Sequence, residues 1–136
     1  RRDDQWLVGY VSARKYFDFH TVLASGPSLD ALSIRAARTD RTATEGTTLV
    51  PLGGTVVVGA SDGRDNPRRV RARYPIFDLD LNEVAELRSA YVTNLPWPTL
   101  IPVGDEWLHI AFDGTPHGGR LPGYGTHGEV VISRSV

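Results

Sequence analysis

Residues 100–113, LIPVGDEWLHIAFD, limit the folds open to this chain more than any other stretch. Pro102 and Gly104 bracket a turn that Asp105 closes. A strand follows, with Leu108, Ile110 and Phe112 on one face and Trp107, His109 and Ala111 on the other. Side chains alternate with a period of two along a strand, so the pattern marks a strand lying on a core. The expectation is that Leu108, Ile110 and Phe112 face inward, leaving Trp107 and His109 outward.

Similar segments recur along the chain. WLVGYVSA (6–13), KYFDFHTVL (15–23), TVVVGA (55–60), RRVRARY (68–74), IFDLDL (76–81) and EVVIS (129–133) all read as strands. Ser25, Gly26 and Pro27 end the second of them, Gly53 and Gly54 interrupt residues 49–60, and Asp62-Gly63 is a hairpin signal. Residues 28–40, SLDALSIRAARTD, are the best helix candidate: Ser28 stands as a cap and Leu29, Leu32 and Ala36 as a narrow apolar stripe. Residues 39–47 read as a polar loop, and 82–92 is ambiguous, with strand favoured because both neighbours are β. The spacing predicts an all-β chain: one antiparallel β-sandwich domain over 1–136, with at most one or two short helices. Short turns leave little room for parallel crossovers.

Composition narrows the function classes. The formal charge of −1 gives no electrostatic case for nucleic acid or an anionic membrane. Cysteine is absent, which removes disulfides, thiolate nucleophiles and cysteine metal sites. No apolar run reaches the roughly 18 residues of a transmembrane helix. The compartment stays open, with the cytoplasm slightly favoured. Lys15 is the only lysine, and Arg with abundant Ala, Gly, Val and Asp suggests a GC-rich bacterial genome. The opening RRDDQ fits either trimmed ends or a removed leader.

Four groups of residues carry candidate chemistry. Arg69, Arg71 and Arg73 share one strand face, with Arg68 beside them. Guanidiniums spaced about 7 Å apart along a strand suit phosphates or an acidic partner. The bland alternative is a solvated face salt-bridged to Asp78, Asp80 or nearby Glu residues, which also guards an edge. Trp97, pinned in LPWP, is either a presented contact residue or a plug at the sandwich end. With Tyr91 and the 113–128 loop it gives a carbohydrate- or small-ligand-binding alternative.

Asp113, His117 and His127 are the weak metal candidates, since two imidazoles and a carboxylate suit zinc. Their spacing matches no standard motif, and exposed loop histidines are the simpler reading. Acidic residues Asp62, Asp65, Asp78, Asp80 and Glu83 raise calcium, against turn-forming or wet-face roles. Neither a G-x-S-x-G elbow nor a phosphate-binding glycine pattern is present.

In order along the chain, YFDF (16–19), VRARYPIF (70–77), LIPVGDEWLHI (100–110) and a terminal apolar strand ending in Ser-Val resemble the competence-protein J family of small bacterial β-sandwich proteins. Glu106 stands where that family tends to have an aromatic. The resemblance implies an inhibitor or immunity-type protein that occludes a nuclease or toxin without enzymatic activity or a cofactor. On that reading Arg69, Arg71, Arg73 and Trp97 are the contact residues, and neither a membrane nor nucleic acid is a direct partner. A metal-dependent enzyme built on Asp113, His117 and His127 is the third class.

Overall fold

The computed structural model describes residues 3–15, 19–39, 45–61, 73–88, 99–113 and 129–134. These residues form three antiparallel sheets. Sheet I comprises β1 (Trp6–Ala13), β2 (Phe19–Gly26) and β3 (Ser33–Ala37), in that order. Sheet II comprises β4 (Glu45–Leu52), β5 (Thr55–Ser61), β6 (Arg73–Phe77) and β7 (Glu83–Arg88). Sheet III comprises β8 (Thr99–Val103), β9 (Glu106–Asp113) and β10 (Glu129–Arg134), with β9 central. The expected all-β antiparallel layering is present, with a third layer. Each sheet is a meander, in which every strand pairs with the next in sequence.

Sheet II is covered on both faces. On one face Val58, Ala60 and Phe77 pack with Leu23 of β2 and Leu81, flanked by Ala36 and Leu49. On the other, Val50, Val57 and Ile76 face sheet III. β5 therefore reads as a near-continuous apolar run, because both of its faces are inside.

Packed sheets normally stand about 10 Å apart, so backbone approaches within 8 Å mark where sheets converge. Between sheets I and II that happens at β1, β2 and β4, and between II and III at β4 and β8. The first strand of each meander thus lies near one common line, and the sheets fan outward from it. Gly9 on β1 permits the approach: a Cβ there would stand 2.9 Å from the Thr47 methyl on β4. Beside it, the Thr21 and Thr47 hydroxyls share a 2.9 Å hydrogen bond.

At the outer end of the sheet I–sheet II seam, two β3-side arginines reach across. Arg35 Nε donates to the Leu79 carbonyl at 3.0 Å, and Arg38 Nη1 donates to the Leu81 carbonyl at 2.9 Å. The Arg38 guanidinium also lies 5.0 Å from the Phe77 ring centre. Their target is the β6–β7 turn, which Asp78 builds. Asp78 Oδ1 accepts from the backbone N–H groups of Asp80 and Asn82, both at 2.9 Å. Oδ2 accepts from the Asn82 amide at 3.1 Å. These contacts hold Leu81 at a φ of +60°, a backbone region that branched L residues rarely adopt. The return for the strain is a Leu81 side chain inserted into the core.

Four expectations are corrected. IFDLDL (76–81) is not one strand: β6 ends at Phe77, and residues 78–82 form the turn to β7. Residues 28–40 form a single 3-10 turn, Leu29–Ala31, and then strand β3, not a helix. The Ser28 side chain makes no capping bond, and β2 offers β3 a full strand partner. Gly26 lets that turn fold tightly back, because the Ala31 carbonyl occupies the space of its missing Cβ. Residues 49–60 are two strands, not one interrupted strand: Gly53 and Gly54, at φ +52° and +80°, make the two-residue hairpin between β4 and β5. The polar stretch 39–47 gives its last three residues to β4. The strand favoured for 82–92 is β7, over Glu83–Arg88.

Candidate binding surfaces

Strand register decides what β9 offers. Leu100 pairs with His109 and Pro102 with Trp107, whereas Ile101 pairs with Leu108 and Thr99 with Ile110. The Leu100, Trp107 and His109 set lines a cleft against sheet II, and Ala111 on the same face is buried. The opposite set, with Leu108 and Ile110, faces away from sheet II. This inverts the expected orientation of the LIPVGDEWLHIAFD strand. Alternation separates two faces without saying which is inside, and here both carry large apolar groups.

The cleft between sheets II and III has a volume of about 410 Å³, and its wall is mainly apolar. Val50, Val57, Ile76 and Leu87 come from sheet II, and Ser133 and Arg134 of β10 complete the rim. His109 Nε2 is enclosed without a hydrogen-bond partner. Burial holds the His109 pKa below 6.5, because the apolar surroundings disfavour the charged imidazolium. A neutral imidazole in an apolar wall is suited to packing or to one hydrogen bond, and not to holding an anion.

On the outer side of sheet III the apolar residues continue. Register places Ile132 beside Ile110, and Ile101 beside Leu108. Val130 and Ile132 are 71% and 63% exposed, and Ile101 and Val103 are also open to solvent. Arg134 and Glu106 form an ion pair at one margin. The outer side of sheet I is apolar as well. Ile34 pairs with Ala24, and Ala24 with Val8, which puts Ile34 on the same face as Trp6 and Tyr10. Ile34 is 67% exposed, and Trp6 and Tyr10 are also exposed.

Of the residues singled out from the sequence, Arg73 sits on β6 and is engaged within the protein, bridging to Glu83 and Glu86 of β7. Asp80 pairs with Arg35 at 3.2 Å, and Asp78 is a turn builder. Hydrogen bonds from Asn82, backbone first and side chain second, hold the Asp78 carboxyl below its usual range. Asp113 closes β9, with its side chain outside what is described. Arg69, Arg71, Tyr91, Trp97, His117 and His127 lie outside the described residues. Among the described residues no three His, Asp or Glu side chains gather as metal ligands do. No described helix is long and apolar enough to cross a membrane.

The outer apolar faces escaped the sequence reading. EVVIS and SIRAA show apolar residues at strand spacing, but that signal is the same for an inward and an outward face.

No family model matches this chain, and no curated protein matches it. Among solved structures, a Bombyx mori GH32 beta-fructofuranosidase in complex with sucrose is similar at 16% identity and a TM-score of 0.47, over 83% of this chain and 28% of that one. The chain thus spans little more than a quarter of the length of the protein it matches.

Proposed function

We propose that this chain is a protein-binding β module that works by covering its outer sheet III face with another protein. The supporting observation is the run of Ile101, Val103, Val130 and Ile132 on one exposed sheet face. Soluble monomers seldom leave a contiguous apolar patch of more than about 300–600 Å² open to water, and larger ones mark interaction sites. The contact surface moves from the arginine stripe to this face, because Arg73 is already engaged by two glutamates. No catalytic step enters this reading. A nuclease or toxin, the partner class implied by the competence-protein J resemblance, is one form of it.

A photo-crosslinking residue placed at Ile132 tests the reading in the organism that encodes the chain. The expected result is a defined protein adduct, absent when the same residue is placed at exposed Asp105 in the β8–β9 turn. Equal adducts at both positions, or none at either, would overturn it.

A second reading is favoured by the cleft. Its volume of about 410 Å³ falls in the range of small-molecule sites, and its apolar wall suits an apolar ligand. Titration with anilinonaphthalene sulfonate checks this. Saturable fluorescence that disappears in Val57→Trp, which fills the cleft, supports it, and unchanged fluorescence in that variant removes it.

A further inference from the structure

His109 sits on the middle strand of sheet III, paired with Leu100 on β8 and with Ser133 on β10. Its ring lines the cleft between sheets II and III, and Nε2 is enclosed without a hydrogen-bond partner. The two sheets converge at β4 and β8, and the cleft opens beyond that line.

A proton on this ring makes both of its nitrogens donors and adds a positive charge. An apolar wall offers no acceptor and no counter-charge, so an imidazolium held there is strongly disfavoured. Sheet II lines the cleft with Val50 and Leu52 of β4, Val57 of β5, Ile76 of β6 and Leu87 of β7, none of which ionises. Tyr74, two residues before Ile76, is neutral in acid and shares a hydrogen bond with Thr48. Arg73, Glu83 and Glu86 pair with one another. β8 carries no ionisable residue. On β10, Arg134 lines the rim, where its charge repels a second cation, and it pairs with Glu106 of β9. Glu129 is the register partner of Asp113 at the far end of β10 and β9. The side chains of Glu45, Arg88 and Asp113 lie outside what is described.

The ring cannot be relieved by turning β9 over, because pairing on both sides holds that strand in register. Water reaches it when the sheets part at the cleft, with the line at β4 and β8 as the hinge. We propose that His109 is an acid-operated latch: neutral, it keeps sheet III closed on sheet II, and protonated, it swings sheet III away about the β4–β8 line while β1 to β7 stay folded. Opening bares the walls of the cleft, including Trp107 on the His109 face. The Glu106–Arg134 pair is also acid-sensitive, but it joins β9 to β10 within sheet III and does not cross the seam.

The open form takes up the proton near the ordinary value of 6.5, and the closed form only at lower pH. Opening therefore begins as pH falls below 6.5 and grows by up to about tenfold per pH unit.

Residue-resolved hydrogen exchange on the 136-residue chain, from about pH 8 to about pH 5, tests the latch once rates are corrected for the intrinsic pH dependence of exchange. Protection of β8, β9 and β10 is expected to fall together below pH 6.5, while that of β1 to β7 is unchanged. His109→Phe keeps a ring of similar size and takes no proton, so sheet III should stay equally protected throughout. His109→Gln gives the same reading where the phenylalanine variant does not fold. Trp107 emission, read in a Trp6→Phe, Trp97→Phe background, is expected to shift to the red over the same pH range, and not when His109→Phe is added.

Constant protection of sheet III in the wild type overturns the latch. So does a loss shared equally by all three sheets, which is acid unfolding of the whole. A folded His109 variant that loses sheet III protection over the wild-type pH range assigns the opening to another group and overturns it as well.

Discussion

The hydroxyl of Tyr74 on β6 lies 2.8 Å from that of Thr48 on β4, although β5 runs between those strands. Gly59 on β5 makes the crossing feasible, because a Cβ there would collide with the Tyr74 hydroxyl. One glycine thus lets a tyrosine tie three strands of sheet II. Tyr74→Phe, which removes the bond but keeps the ring, is expected to cost about 1 kcal/mol in urea unfolding. Gly59→Ala displaces the whole ring and is expected to cost more, about 2–3 kcal/mol. Should Gly59→Ala prove the milder of the two, the crossing is not the tie described.

Burial raises the pKa of Tyr74 above 10.0, partly offset by the Thr48 hydrogen bond. The unfolded chain therefore releases this proton at lower pH than the folded one. Stability from this group is complete below pH 10.0 and falls as pH rises from there toward the folded pKa. Tyr74→Phe should flatten that alkaline decline, as read from melting temperature against pH.

His109 works in the opposite direction. Its folded pKa is depressed below 6.5, so the unfolded state binds the proton more readily. Stability is complete above pH 6.5 and falls as pH drops through the window between 6.5 and the lower folded pKa. His109→Gln is expected to remove this acid-side slope, leaving the melting temperature less sensitive to mild acid. A variant with an unaltered slope would mean that His109 is free to ionise in place.

Asp78 holds the β6–β7 turn through three accepted hydrogen bonds. Asp78→Ala should destabilise by about 2 kcal/mol, through loss of these bonds and release of the Leu81 backbone from its positive φ. The carboxyl pKa is lowered from 3.8, so its contribution is present above that pH and is lost as pH falls through the folded pKa. Asp78→Asn keeps an acceptor oxygen and should lose less than the alanine variant. Chemical denaturation of both variants gives the order.

The Arg73 pair with Glu83 and Glu86 should contribute little. The three side chains are 30%, 34% and 23% exposed, and water and salt screen such pairs to about 1 kcal/mol or less. A double-mutant cycle of Arg73→Ala with Glu86→Ala measures it. A coupling well above that, or one insensitive to salt, would contradict a screened pair.

How far the residues alone could be read depended on the kind of information needed. Period-two alternation and Gly/Pro punctuation suffice for strands and turns, so β1, β7 and β10 were legible. The helix expected at 28–40 failed because Leu29, Leu32 and Ala36 also fit a turn followed by a strand, and only pairing with β2 chooses between them. The orientation of β9 was not legible, since Trp107 and Leu108 are both large and apolar. Candidate residues chosen for their chemistry fell mostly outside the described residues. The sheet III face proposed for binding is made of ordinary Val and Ile, which carry no chemical signature, and only the exposure of Val130 and Ile132 marks it.

Among the described residues the two seams are joined differently. Sheets I and II are joined near the common line by Thr21 and Thr47, and at the far end by Arg35 and Arg38. Sheets II and III converge at β4 and β8, and the cleft opens beyond that line. The molecule should therefore come apart in two cooperative units. Amide protons of β8, β9 and β10 should exchange with deuterium through a partial opening that leaves β1 to β7 intact.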